Sequence, residues 1–230
     1  LSDGELAAVM RLAADATQGS KSFAKGLEVG LSRLLVSPNF IFRIERSEAD
    51  LSRPGMARLD DWSLASRVSF LLWDAPPDQE LLEAASAGDL RSAAGLGRQV
   101  DRLIASPRFE QGVRSFFADM LGYEQFAGLS KDQAIYPKFT SLLAKDAQEQ
   151  ALRTIVDLLV TRNGDFRDLF STRATFMNRN LGALYGVPVS RAALDGWAPY
   201  TFPEGSNRGG LLSLAGFLML DPTHEGRSSP

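Results

Sequence analysis

The chain reads as all-α, an irregular multi-helix bundle with two Ser-Pro helix corners, on three observations. Apolar residues recur every third or fourth position over most of its 230 residues. Helix starters (Ser, Asp) stand before these stretches, and Gly, Asn or Pro stands after them. No stretch alternates apolar and polar residues for the length of a strand.

The first helix is expected over residues 3–17, opened by Ser2 or Asp3, with Leu6, Val9, Met10 and Ala13 on one face. A second over 21–36 carries Phe23, Leu27, Leu31, Leu34 and Leu35. Ser37-Pro38 ends it and starts another over 39–46, with Phe40, Ile41 and Ile44. Residues 48–58 form a connector. Asp60 or Asp61 then caps a helix with Leu64, Val68, Leu71 and Leu72, which Pro76-Pro77 ends.

Residues 78–87 form a short helix, and Gly88-Asp89 caps the next, which includes Val100, Leu103 and Ile104 and stops at Ser106-Pro107. Residues 107–121 carry Phe109, Val113, Phe116, Phe117 and Met120, and 122–136 read as a loop. The strongest helix runs from about Pro137 to Arg162 and stops at Asn163-Gly164. One turn over 165–170 and a short helix over 178–185 follow, then a break at Gly186-Val187-Pro188. Residues 197–203 suit a short extended piece, and 209–220 a small-residue helix or a buried hairpin.

A local repeat marks the two corners. Arg33-Leu34-Leu35-Val36-Ser37-Pro38-Asn39-Phe40 recurs as Arg102-Leu103-Ile104-Ala105-Ser106-Pro107-Arg108-Phe109. The serine can accept from the free N–H groups of the new helix, and proline suits the position whose N–H needs no partner. Two sharp turns follow, with Phe40 and Phe109 expected to point into the core.

Composition narrows the chemistry. There are 25 basic and 28 acidic residues, a net charge of -3, which argues against a nucleic-acid or anionic-membrane binder. Without cysteine, the chain has no disulfide, thiolate metal site or cysteine nucleophile. The apolar run from Gly209 to Leu220 closes at Asp221-Pro222, short of the ~20 residues a membrane span needs. Both ends look cut: the first residue is not Met, and Ser229-Pro230 is a helix start without its helix.

No catalytic or metal-binding residue is assigned. His224, the single histidine, lies in a polar loop and has no Gly-x-Ser-x-Gly elbow to serve. Ser22-Phe23-Ala24-Lys25 matches the Ser-x-x-Lys of penicillin-binding enzymes, but neither Ser-Asp-Asn nor Lys-Thr-Gly accompanies it. The carboxylates Asp60-Asp61, Asp146 with Glu149, and Asp165 with Asp168 each have a structural explanation, as caps or on polar faces. Gly95-Leu96-Gly97-Arg98 follows no strand and lacks the third glycine of a dinucleotide loop. Arg208, Gly209 and Gly210 could let a backbone approach a ligand closely, or form a tight entry to the segment behind them. Phe116, Phe117, Tyr123, Phe126, Tyr136 and Phe139 are most simply core, with only Lys131 and Lys138 among them to suggest stacking.

Several motifs in order carry a resemblance. Leu59-Asp60-Asp61-Trp62-Ser63-Leu64-Ala65-Ser66-Arg67-Val68-Ser69-Phe70-Leu71-Leu72-Trp73, Pro77-Asp78-Gln79-Glu80-Leu81-Leu82, Val100 to Arg108, and Thr175-Phe176-Met177-Asn178-Arg179-Asn180-Leu181 with Leu184 to Pro188 are the clearest. They resemble an uncharacterised domain family found beside cytochrome-c modules in large exported planctomycete and myxobacterial proteins. Residues 31–45 look like its preceding companion domain, and Arg208 to Leu212 with Arg227 to Pro230 like the start of the following one.

The resemblance implies three segments: 1–50 from a helical companion domain, 58–190 as the central domain, and 205–230 as a truncated start of the next. It implies export to the periplasm, cell surface or medium. It carries no catalytic residues. A covalent haem c, attached through Cys-x-x-Cys-His, would lie in a flanking part or a partner chain. Expected partners are other domains of the same precursor or other protein subunits. Three functions are open: a non-catalytic scaffold or docking module; a haem-proximal part of an electron-transfer protein, to which His224 or Arg208, Gly209 and Gly210 contribute; and a carbohydrate-active hydrolase or binder.

Overall fold

A computed structural model describes residues 3–50, 53–189 and 195–220. It is mostly helical, as expected, with two short antiparallel two-stranded sheets among the described residues. The chain divides into two compact units, residues 1–65 and 66–230.

The first unit opens with α1 (Asp3–Ser20) and α2 (Phe23–Leu35), a helical hairpin. Lys21 turns it with φ 52°, and Ser22 caps α2 by accepting from the Lys25 amide. The Ser-x-x-Lys motif is therefore a helix cap, with the Lys25 ammonium on Glu28 at 2.8 Å. Small residues let the two helices meet: a Cβ on Gly26 would lie 2.6 Å from the Ala13 carbonyl, and one on Gly30 3.2 Å from the Ala13 methyl.

After the Ser37-Pro38 corner, α3 (Pro38–Ile41) is a single turn, not the longer helix expected over 39–46. Phe42 is already extended, where an aromatic and β-branched run favours strand over helix. The expected connector instead holds a hairpin, β1 (Ser47–Ala49) with β2 (Ala57–Leu59). Asp60 then caps α4 (Asp61–Trp73) by accepting from the Ser63 amide at 2.7 Å. The Ser63 hydroxyl, in turn, accepts from the Arg46 amide.

In the second unit, Asp78 caps α5 (Gln79–Ser86). Gly88-Asp89 does not cap the next helix. Asp89–Arg91 form a 3-10 turn, and Ser92 caps α6 (Ala93–Ala105) through the Gly95 amide. The Ser106-Pro107 corner leads to α7 (Phe109–Met120). The loop expected over 122–136 begins as a 3-10 turn whose Tyr123 and Phe126 sit in the core.

Thr140, and not Pro137, starts the long helix, α8 (Ser141–Val156), by accepting from the Leu143 amide. Its end widens into a π turn over Asp157–Thr161 and stops at Asn163, φ 49°. A 3-10 turn over Phe166–Phe170 leads to β3 (Ala174–Met177), a strand with no expectation from sequence. Asn178 caps α9 (Arg179–Tyr185), and Gly186, φ 70°, ends it. The extended piece expected over 197–203 is β4 (Ala198–Thr201), paired with β3 in the register Thr175 to Tyr200. Residues 211–218 resolve the last alternative as helical: a 3-10 turn, Leu211–Ser213, then α10 (Ala215–Leu218).

The core of this unit gathers around α8. Leu143, Ala147, Ala151, Ile155 and Leu158 pack with Phe117 of α7, Met177 of β3, Leu181 of α9, and Leu211 and Leu214. Of the two corner aromatics, neither is in this core: Phe109 is half-buried, and Phe40 is 67% exposed. The corners form at the positions expected, but a local motif specifies backbone direction and not what covers the side chain beyond it.

Candidate functional site

Arg208, Gly209 and Gly210 serve the fold of the second unit. Gly210 has φ 73°, and its amide donates to the Thr172 carbonyl at 2.7 Å. Any Cβ there would collide with the Phe170 carbonyl. The close approach foreseen for these glycines is thus to the chain's own backbone. Gly209 has only ordinary van der Waals neighbours. The Arg208 guanidinium donates to the Ser213 carbonyl at 3.1 Å and lies 4.7 Å from the centre of the Tyr185 ring. His224 lies outside the described residues.

Arg208 leads into a polar seam under α8. The Tyr185 hydroxyl accepts from the Ala215 amide at 2.7 Å and donates to Gln150 Oε1 at 2.9 Å. Gln150, fully buried, donates its other amide end to the Phe176 carbonyl at 3.1 Å. One helical turn on, the Thr154 and Thr175 hydroxyls meet at 2.9 Å, and Thr154 also donates to the Gln150 carbonyl. The seam ties α8 to β3, α9 and α10 and satisfies groups that would be costly to bury alone. Burial raises the Tyr185 phenol above its ordinary value, so it remains a neutral hydrogen-bonding group.

Of the carboxylates weighed as catalytic pairs, Asp60, Asp146, Glu149 and Asp165 have structural partners. Asp146 accepts from the Asn180 side chain at 2.6 Å. Glu149 sits between Arg114 (3.0 Å) and Arg153 (2.7 Å), and Arg153 continues to Asp195 at 2.7 Å. With Glu110 on Arg114, this makes a ladder of alternating charge from α7 across α8. Asp165 caps its own turn and pairs with Arg167. Hydrogen bonds from Ser63, first the hydroxyl and then the amide, hold Asp60 below the usual carboxylate range. Among the described residues, no three His, Cys, Asp or Glu are grouped to hold a metal ion, and no helix is long and apolar enough to cross a membrane.

Among the described residues, two features are not accounted for by these contacts. The first is the apolar face of the first unit. Phe23, Leu27, Leu31 and Leu35 fall every fourth residue along α2 and are all exposed, Phe23 at 77%. Phe40, Ile41, Phe42 and Ile44 follow, equally exposed. Neither α1 nor α2 buries a single large side chain. The sequence shows this stripe clearly, since its period is helical. Period alone does not say whether such a stripe meets the chain's own core.

The second is a pocket of about 300 Å³ in the second unit. Phe139, Leu143, Leu184, Leu218 and Met219 form its apolar wall, with Lys131, Tyr136 and Lys138 beside them. Lys131 is buried, its ammonium 5.9 Å from the centre of the Tyr136 ring. The loop that carries these residues is braced from within: the Ile135 and Tyr136 amides donate to the Asp132 carbonyl, and the Phe139 amide to the Tyr136 carbonyl. Lys138 fastens it to α9 by donating to the Ala183 carbonyl at 2.8 Å. Sequence reasoning singled out these lysines only as neighbours of aromatics. The pocket needs α9 and α10 as well, some 45 and 80 residues further along the chain.

The family described as PSD4, protein of unknown function (DUF1592), matches residues 59–187. No curated protein and no solved structure matches the chain.

Proposed function

The chain belongs to this family of unknown function, whose pattern covers more than half of it, and from that premise we propose that it is a helical docking module, without catalysis of its own, in an exported assembly associated with cytochrome c. The observation that carries the reading is the exposed apolar face of α2 and α3. Contiguous apolar surface rimmed by polar residues marks sites of protein association, and large aromatic side chains supply most of the energy at such sites. The occupant is a neighbouring protein domain, of the same precursor or of another subunit.

The engagement of the acidic side chains supports the non-catalytic part of the reading. Asp60, Asp78, Asp146, Glu149 and Asp165 each hold a helix start, a cation or an amide. A general acid or base needs a carboxyl turned to a substrate, with an environment suited to proton transfer. Cytochrome association and export rest on the resemblance of the sequence motifs. A chain without cysteine offers no thiol for a covalent haem. That group would therefore belong to a flanking segment or a partner chain, and no electron-transfer step is assigned to the groups described here.

The test is the state of the protein as purified, undissociated, from its source cells. The wild type is expected to sediment with its neighbour as a heavier species. The Phe23→Ser/Phe40→Ser/Phe42→Ser variant is expected to sediment alone, with unchanged circular dichroism. A wild type that sediments as a lone chain overturns the reading.

A further inference from the structure

We propose that Asn163 is a deamidation site, gated by the turn that ends α8. Of the asparagines in the chain (Asn39, Asn163, Asn178, Asn180 and Asn207), only Asn163 precedes a glycine. Glycine puts no side chain beside the backbone nitrogen that must attack, and it leaves the backbone free to bring that nitrogen to the carboxamide. Asn39, Asn178 and Asn180 are engaged with Glu5, the Leu181 amide and Asp146. Asn163 is exposed, and its carboxamide makes no hydrogen bond among the described residues.

The reaction needs only water and involves no oxidation. The Gly164 nitrogen gives its proton to hydroxide and bonds to Cγ of Asn163. The Cγ–Nδ2 bond breaks, and the departing nitrogen takes a proton from water to leave as ammonia. Water then opens the five-membered imide. Cleavage between Cγ and the nitrogen gives aspartate, and cleavage between the main-chain carbonyl carbon and the nitrogen gives isoaspartate.

In the folded chain the attacking nitrogen is held. The Gly164 amide donates to the Leu158 carbonyl at 2.8 Å, in a turn that Asn163 closes with φ 49°. The Arg162 side chain pairs with Asp157 at 2.7 Å, and its amide donates to the Asp157 carbonyl, so both brace the same turn. Reaction therefore waits for a local opening at the end of α8, which global unfolding is not needed to supply. Either product places a negative charge at the C-terminal end of the helix, against its dipole. Isoaspartate also lengthens the backbone, so the hydrogen bond from Gly164 to Leu158 loses its geometry.

Peptide mapping by mass spectrometry of the full chain, kept in mildly alkaline buffer, measures conversion of Asn163. Hydrogen exchange of the Gly164 amide, followed by NMR, measures the opening. Conversion in the folded chain is expected to be at least about tenfold slower than in urea-unfolded chain, by the same factor that protects the Gly164 amide from exchange. Sub-denaturing urea should raise both rates in step. Arg162→Met, compared at equal circular dichroism, should raise both about two- to fivefold, the worth of a partly exposed ion pair. Asn207, which is exposed but precedes Arg208, should stay unconverted over the same period. Conversion of Asn163 at the unfolded rate, or at a rate that does not follow exchange of the Gly164 amide, overturns the proposal.

Discussion

The two Ser-Pro corners have nearly the same backbone and opposite surroundings. Ser37 and Ser106 are both extended, at φ/ψ of -66°/135° and -77°/144°, as the residue before a proline is driven to be. In both, the serine amide donates back three residues (to Leu34 and to Leu103), and the serine carbonyl accepts from the phenylalanine three residues ahead. Beyond that they part. Pro107 has no N–H to give the Leu103 carbonyl, and the indole of Trp73 takes that place at 2.9 Å. Arg108 lies over the same indole, 5.0 Å from its centre. The first corner projects Phe40 outward. One corner is thus a joint closed by its own unit, and the other presents apolar surface. Eight similar residues set the turn; residues elsewhere decide what it is for.

Breaking the closed corner should give the largest effect. Trp73→Ala removes a buried ring and the donor to Leu103, and should cost ~3–5 kcal/mol in urea denaturation. Trp73→Phe, which keeps most of the ring, should cost ~1–2 kcal/mol for the carbonyl left short of a donor.

Gly112→Ala attacks the same joint from α7, where a Cβ would run into the Leu72 carbonyl at the end of α4. The backbones must separate, at ~1–3 kcal/mol by the same measurement.

Asp78 ties α5 to α6 beside the joint: it caps α5 and takes two hydrogen bonds from Arg102, at 2.7 and 2.9 Å. Asp78→Ala should cost ~2 kcal/mol, and Asp78→Asn, which can still cap, ~1 kcal/mol or less for a half-exposed pair. The hydrogen bond from Arg102 holds the Asp78 carboxyl below its ordinary 3.8. Its contribution is therefore complete above pH ~4 and is lost as pH falls through the folded-state value. Acid titration of stability should show this loss in the wild type, reduced in Asp78→Asn.

Phe40→Ser, at the open corner, should change stability by less than ~0.5 kcal/mol. A loss of several kcal/mol there would mean that the corner is covered by the chain itself, and the comparison would fail.

The long helices were legible because three or four turns of apolar spacing outweigh local exceptions, and the start of α4 was narrowed by residue type to Asp60 or Asp61, of which Asp60 is the cap. The strands were not, except for the extended piece at Trp197 to Pro203. Three or four residues, as in Ala174–Met177, are too few for alternation to show. Single turns such as Pro38–Ile41 and Ala215–Leu218 fall below the same limit. Gly210 shows a partial success: two glycines beside an arginine did signal a close approach, and the structure supplies Phe170 as the thing approached. The pocket was hidden for another reason. Its polar residues lie in one irregular loop, and its walls come from helices that only the tertiary fold brings to them.

Docking through the α2–α3 face is tested most directly by hydroxyl-radical footprinting of the isolated chain beside the protein in its native, undissociated preparation. Phe23, Phe40 and Phe42 should be labelled freely in the isolated chain and several-fold less in the native preparation, while residues of the second unit's core stay unlabelled in both. Equal labelling of the three phenylalanines in the two samples would contradict the account.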